Sequence, residues 1–350
     1  MAISLRKKSV IGLDIGAYSL KLAEVTGTRE KLILSKWGMR ELPPEAIVAG
    51  EFRDRDLVLL QLQNLIDQCN VKTKDVVFSI SGHGVITSRL IMDYKSGEEA
   101  EQAILFEAEQ RSPFDTEDVT LDYNIVWVDE DKSKMVVVIV AARNEILNNY
   151  LELLGDAGLN PVIIDVDAFA LLNAYEVNYQ VDADRILALV NIGFDSTNIT
   201  FIKDGVYHSM RDLASGGRMF FESIGKELSL NPDLTEKVLR GEEVESVDSD
   251  MLKALIASTG DELAVDIEVA FSYFESASKA EGIDWIVLSG GGALIPYLPE
   301  YLQEKLSIPV EIFNPLRSIK FDAAQFPGLQ AEKMAPLMAV PIGLACRKVL

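Results

Sequence analysis

Cysteine and histidine are scarce in this sequence. Its 350 residues hold two of each, Cys69 and Cys346, His83 and His208. Two cysteines make neither a disulfide framework nor a metal-binding spacing. Two histidines are too few for a zinc site, so both read as structural or surface residues. Long apolar runs are also missing. The longest, "MVVVIVAA" (135–142), falls well short of the roughly 20 residues that span a bilayer; its length and β-branching suit a buried strand. Basic charge is in short supply: 33 Lys and Arg face 55 Asp and Glu, a net charge of −22. A phosphate backbone needs a basic face, so nucleic acid is not an expected partner. The first residues, "MAISLRKKSVIGLDIG", carry basic charge but run into Asp14 and a glycine turn, unlike a signal peptide. The compartment expected from these features is the cytoplasm.

What the sequence does hold is a repeat. Apolar residues make up 48% and charged residues 25% of the chain, as in ordinary globular proteins. Its length exceeds one core, which predicts two domains. "IGLDIGAYSLKLAEV" (11–25) reads as a β-hairpin around Gly16-Ala17-Tyr18-Ser19, and "ALVNIGFDSTNITFI" (188–202) repeats it. Asp14, Ile15, Gly16, Ser19 and Lys21 return as Asn191, Ile192, Gly193, Ser196 and Asn198, all at one offset. Each hairpin opens a run of alternating strands and helices. Between them, "RDLVLLQLQNLIDQC" (55–69) has helical apolar spacing. Ser96 and Glu99 have capping-box spacing at the start of a helix that Pro113 should end. Further on, "WIVLSGGGALIPYLPEYLQEKL" (285–306) reads as strand, glycine turn and helix, and 332–350 as a helix interrupted at Pro341. Trp37, Trp127 and Trp285 read as packing residues. The order is hairpin, α/β, hairpin, α/β, with extra strands and a helix inserted into the first half.

A glycine turn between strands leaves backbone N–H groups free and lets an anion approach closely. Ser19 and Ser196 add hydroxyl donors at matching places. Lys21 adds a cation that can reach a phosphate oxygen. Asp14, at the end of its strand, can hold Mg²⁺ through water, since Mg²⁺ keeps most of its hydration shell. One such hairpin is equally well read as a tight turn on a buried strand. Two in matching register suggest opposite walls of a cleft that grips a polyphosphate. Gly290, Gly291 and Gly292 permit close approach of a flat group and precede a helix N-terminus; alone they would also fit a crowded strand–helix turn.

With these motifs on view, the chain resembles the actin/Hsp70/hexokinase ATPase superfamily. Within it the sequence is similar to the FtsA-like proteins and, more narrowly, to the PilM family of type IV pilus assembly proteins. "GLDIGAYSLKLAEV" resembles the first phosphate motif of that superfamily. "LFEAEQRSPFDTEDVTLDYNIV" (105–126) resembles a PilM-type segment and is the most discriminating stretch. "IIDVDAFALLNAY" (163–175) and "APLMAVPIGLACR" (335–347) resemble the two connecting helices, and "ASGGRMFFESI" (214–224) the glycine pair before a helix. The resemblance implies a two-lobed actin-like (ribonuclease H-like) α/β fold with an inserted α/β subdomain. Residues 1–180 would form the first lobe, with the insert at about 30–160. Residues 181–335 would form the second lobe, and 336–350 a helix returning to the first. The ligands implied are ATP and Mg²⁺. Asp14, Gly16, Ser19 and Lys21 would lie at the phosphates and metal, with Asn191, Gly193, Ser196 and Asn198 opposite. Gly216 and Gly217 would border the ribose, Glu236 would reach the nucleoside, and Gly290, Gly291 and Gly292 would line it. Asp167 stands where relatives orient the attacking water.

Two departures shape the expected function. Asn191 replaces an aspartate common in the superfamily, and losing that charge should weaken metal-assisted hydrolysis more than binding. Leu239 stands where a basic residue is usual, although Lys237 and Arg240 are close. The resemblance therefore implies a nucleotide-holding scaffold of the pilus inner-membrane machinery with weak or no hydrolysis. Its implied partner is the short cytoplasmic N-terminus of PilN, received in a groove with residues in 80–112, beside other inner-membrane components of the pilus. Membrane association would be peripheral and indirect. Self-association stays open. An FtsA-like division protein and a small-molecule kinase are the alternatives, and an Hsp70-type chaperone is disfavoured because no peptide-binding domain follows the second connecting helix.

Overall fold

The computed structural model describes residues 9–111, 116–129, 131, 133–326 and 334–348. The expected helix stop at Pro113 and part of the 105–126 stretch lie outside them.

Strand β1 (Ile11–Ile15) and strand β2 (Ser19–Thr28) form the first hairpin, extended by β3 (Lys31–Glu41). A two-residue strand pair, β4 (Ile47–Val48) and β5 (Glu51–Phe52), follows the Pro43-Pro44 break. Helix α1 (Arg55–Gln68) starts where Asp54 accepts the Leu57 N–H, and buries Val58, Leu62 and Leu65, the spacing of one helix face. Strand β6 (Asp75–Ile80) then lies parallel to β1, and β10 (Asn160–Val166) parallel to β6. The first sheet has the order β10-β6-β1-β2-β3.

Between β6 and β10 the chain builds a separate three-stranded sheet from β7 (Val85–Asp93), β8 (Val119–Val128) and β9 (Lys134–Arg143), ordered β7-β9-β8. Helix α2 (Gly97–Arg111) covers one face through Ala100, Ile104 and Ala108. Glu99 pairs with Lys95 at 2.6 Å. The separate sheet falls within 85–143, inside the expected 30–160. Strand β6 is interior to the first sheet and β3 is its edge, so both pair within that sheet. Central β9 is buried almost throughout, as its unbroken apolar run requires. Trp127 is 49% exposed and is therefore not a packing residue, unlike the half-buried Trp37 and Trp285.

Helix α3 (Asn144–Asp156) leads to β10, and α4 (Asp167–Asn178) follows it directly. The second half then repeats the first. Strands β11 (Leu187–Ile192), β12 (Thr197–Lys203) and β13 (Val206–Leu213) form the antiparallel side, turning through Asp204 and Gly205 at φ 56° and 73°. After α5 (Gly217–Glu227), α6 (Pro232–Leu239) and α7 (Ser249–Ser278), strands β14 (Trp285–Ser289) and β15 (Val310–Ile312) add in parallel around α8 (Leu298–Leu306). The order β13-β12-β11-β14-β15 mirrors that of the first sheet.

The last helix, α9 (Ala339–Cys346), packs back on β1 and crosses α4. A Cβ on Gly343 would stand 1.8 Å from the Ala170 carbonyl oxygen, and one on Gly12 2.1 Å from that of Pro341. Gly12 in the opening motif thus serves this crossing rather than the turn. Pro341 does not interrupt the helix. It is the third residue of α9, where no intrahelical partner exists for its missing N–H, and a short 3₁₀ turn, Ala335–Met338, precedes it. One apolar core under both sheets joins α4, α9 and the loop at Phe313.

Candidate functional site

The two hairpins meet the floor of one cleft. In each, the first turn residue donates back across the turn: Gly16 N–H to the Ser19 carbonyl at 3.1 Å, and Gly193 N–H to that of Ser196 at 2.9 Å. The strand registers match too, with Asp14 opposite Lys21 and Asn191 opposite Asn198. The turns open on a cavity of about 1560 Å³ between the lobes. Asp14, Gly16, Ser19, Lys21, Asn191, Gly193, Ser196 and Asn198 all line it, as do Asp167, Gly217, Glu236 and the glycines 290–292.

Gly216 is the expected site residue that the cavity lining leaves out. It lies beneath the second turn, where a Cβ would stand 2.7 Å from the Phe194 carbonyl oxygen and 2.9 Å from the Ser196 nitrogen. The first N–H groups of α5 are used there as well, Gly217 to Gly193 and Arg218 to Phe194, both at 2.8 Å. Gly290 and Gly292 also have packing reasons. Gly290 has φ 80°, and Cβ atoms on the pair would meet Ile192 at 2.4 and 2.1 Å. Gly291 has open space, with only Leu337 at 3.9 Å.

The cations that line the cavity, Lys21, Arg218 and Arg240, are already paired. Lys21 Nζ donates to Asp14 Oδ2 at 2.8 Å. In the second hairpin the Asn198 amide donates to Asp212 at 2.8 Å, and Asn191 Oδ1 accepts the Ser289 hydroxyl at 3.2 Å. Glu236 binds Arg240, which also reaches Glu41. Leu239 and Arg240 both line the cavity, so Arg240 is the basic side chain nearest the place where Leu239 left a gap.

Asp167, the first residue of α4, faces the cavity and accepts a hydrogen bond from the Ser79 hydroxyl at 2.5 Å. Burial, then the neighbouring charge of Asp14, pushes its pKa up to about 6, while hydrogen bonds from Ser79 and Ser81 work the other way. Asp212 is raised by burial and held partly down by the Asn198 amide and the Gly82 backbone N–H. Sequence reasoning missed Asp212. A lone aspartate in a strand carries no signal until the β12–β13 register sets it opposite Asn198. It also missed Tyr18, Phe194 and Arg218. His83, expected to be structural or on the surface, is exposed at the cavity edge.

Among the described residues, no group of three His, Cys, Asp or Glu side chains is arranged to ligate a metal directly. Asp14, with one oxygen on Lys21 and the other free to bind water, suits an outer-shell contact to a hydrated divalent cation. The two turns offer hydroxyl and backbone donors from both sides, the donor set a polyphosphate requires. The residues present therefore fit a metal–nucleotide.

Two mirrored sheets, two crossing helices and a cleft between repeated turns define the actin-like fold. Solved structures agree. The chain matches the "PilM-PilN type IV pilus biogenesis complex" at 27% identity, with a TM-score of 0.85, covering 98% of this chain and 99% of the other. The ethanolamine utilization protein EutJ from Carboxydothermus hydrogenoformans matches at 13% identity and TM-score 0.59, covering 97% and 90%. MreB 5 of Spiroplasma citri bound to AMPPNP matches at 13% and 0.54, covering 98% and 96%. These last two share the fold. The model of the type IV pilus assembly protein PilM family matches residues 12–349, and the chain belongs to that family.

Proposed function

We propose that this protein is an actin-like scaffold of the type IV pilus inner-membrane assembly complex, and that it binds the cytoplasmic N-terminus of PilN. The observation that carries this reading is the family match over residues 12–349, together with likeness to a PilM–PilN complex over nearly the whole chain. Among the described residues no helix is long and apolar enough to cross a membrane; in this reading the partner is what holds the protein at the membrane. Within the 80–112 segment expected to receive the peptide, Ile91 and Phe106 are exposed at 66% and 60%. Strand alternation puts Ile91 on the face of the inserted sheet away from α2, since its neighbour Leu90 packs with α2, and an exposed apolar side chain there can anchor a peptide.

The same reading gives the cleft to ATP with Mg²⁺. Asp14 would hold the hydrated metal, which would neutralise phosphate charge. Lys21, Ser19 and Ser196 would hold phosphate oxygens, and Glu236 and Arg240 would border the nucleoside. Asp167 would orient water. With Asn191 in place of a second carboxylate, the nucleotide acts mainly as a structural ligand that sets the angle between lobes. The lobe boundaries near 180 and 335 belong to this reading.

Titration of the purified protein with a synthetic PilN N-terminal peptide, with and without Mg-ATP, tests the partner. Saturable binding that Ile91→Asp weakens is expected. No binding beyond that of a scrambled peptide in either condition would refute the proposal. Phosphate release followed over hours in Mg-ATP tests the ligand's role, with tight binding and negligible turnover expected.

A further inference from the structure

The cavity is bridged from wall to wall. Tyr18, at the tip of the first turn, lies ring to ring with Phe194 at the tip of the second, centroids 4.8 Å apart. Burial, and then Glu236 of α6 beside its hydroxyl, raise the pKa of Tyr18. Arg218, near the start of α5, stands 4.7 Å over the Phe194 ring. Its Nε donates to Asp195 at 2.8 Å, its Nη1 to Glu45 at 3.1 Å and its Nη2 to the Pro44 carbonyl at 2.9 Å. Arg240 joins Glu41, at the end of β3, to Glu236. Tyr18, Glu41, Pro44 and Glu45 belong to the first lobe, and the groups they meet belong to the second.

We infer that Tyr18, Phe194, Arg218 and Arg240 form a strap across the cavity that ties the two lobes together, and that its opening sets the rate at which a nucleotide enters and leaves. The strap rests on contacts within the chain; only its effect on exchange rests on the nucleotide reading above. The lysine and two arginines lining the cavity are all ion-paired with carboxylates. An incoming polyphosphate therefore meets an acidic wall whose cations are engaged, and must compete for them. The Glu45 end of the strap is 80% exposed and holds little by itself. The firmer cross-lobe contact is the Pro44 carbonyl, which Nη2 bonds at 2.9 Å and which salt does not displace by screening alone. Asp195, 17% exposed, and the Phe194 ring, both on Arg218's own lobe, hold its guanidinium in place for that contact.

Two measurements on the full chain test this. Hydrogen exchange of the ligand-free protein reads the strap directly. Arg218→Ala, and more strongly Tyr18→Ala with Arg218→Ala, should speed exchange at residues 16–19, 41–47 and 193–196, and leave the α7 core unchanged. Stopped-flow release of a fluorescent ATP analogue, preloaded with Mg²⁺ and chased with ATP, reads the consequence. Release should rise about tenfold in Arg218→Ala and about a hundredfold in the double variant, each tenfold being about 1.4 kcal/mol. Arg218→Lys should behave as the alanine variant, because it keeps the charge but loses the fork and the stacking. If Arg218→Ala does not fold, Phe194→Leu makes the same comparison with the Asp195 pair intact. Unchanged exchange in both turns, or unchanged release from a double variant that folds, overturns the strap. An analogue that never binds the native protein refutes the nucleotide reading instead, and the exchange data still judge the strap.

Discussion

Replacing Asp167 by asparagine should make this protein more stable at neutral pH. The carboxyl lies at the start of α4, facing the cavity, with Asp14 and Asp212 near it, and its pKa is raised from 3.8 to about 6. A shift of about 2 units corresponds to about 3 kcal/mol between the protonation states. The sign follows from the direction. The folded protein holds this proton more tightly than the unfolded chain does, so the group costs nothing below about pH 4. The cost grows as pH rises from about 4 to about 6 and is complete above that. The substituted amide would keep an oxygen for the Ser79 hydroxyl and remove the charge. Part of the repulsion is shared with Asp14, and cavity water solvates part of the carboxylate, so the expected gain is about 1–2 kcal/mol at pH 8. At pH 5, midway through that window, about half of that gain should remain, because the unfolded carboxyl is ionised there while the folded one is mostly protonated. Urea unfolding at the two pH values, with unchanged slopes, measures it. A variant less stable than the native protein at pH 8, or a gain equal at both pH values, would refute the reasoning. A gain accompanied by loss of slow phosphate release would mark Asp167 as a carboxylate kept for function against stability.

Asn191→Asp restores a carboxylate opposite Asn198, and phosphate release from Mg-ATP should rise about tenfold, less than a fully positioned acid–base group contributes; an unchanged rate in a phosphate-release assay would mean the missing charge does not limit turnover. Lys21→Met removes the cation that Asp14 now holds, and nucleotide affinity should fall about 10- to 100-fold by titration, as for one charge-assisted hydrogen bond. Gly343→Ala drives a methyl group into the Ala170 carbonyl, 1.8 Å away, and should cost about 2–3 kcal/mol in urea unfolding. Gly155→Ala, in α3 with open space around it, should instead gain about 0.5 kcal/mol.

The repeat at a single offset was the most legible feature, because register and turn chemistry are both local. The structure returns it as matched pairings and matched turn bonds. What the sequence could not carry is which strand lies beside which. Strands β3 and β6 look the same as inserted strands until the pairing places them in the first sheet. Asp212 was invisible for the same reason, being a neighbour of Asn198 through sheet pairing alone. The glycines show a subtler limit. Gly216, Gly290 and Gly292 all look like ligand-facing residues in the sequence, yet a Cβ on each would strike protein first. Close approach of backbone to backbone and close approach of backbone to phosphate select the same residue type.

The inequality between the two turns also takes a different form in the structure. Read as sequence, the second hairpin has lost a charge pair: Asp14 and Lys21 are answered by Asn191 and Asn198. In the fold a carboxylate returns one strand away, as Asp212, but on different terms. Asp14 keeps an oxygen clear of its lysine. Asp212 is engaged by the Asn198 amide at 2.8 Å, and burial raises its pKa while that amide and the Gly82 backbone work the other way. A carboxylate held in this way is poorly placed to turn toward a water molecule. The carboxylate beside the second hairpin is therefore engaged within the fold, as the guanidinium groups of Arg218 and Arg240 are.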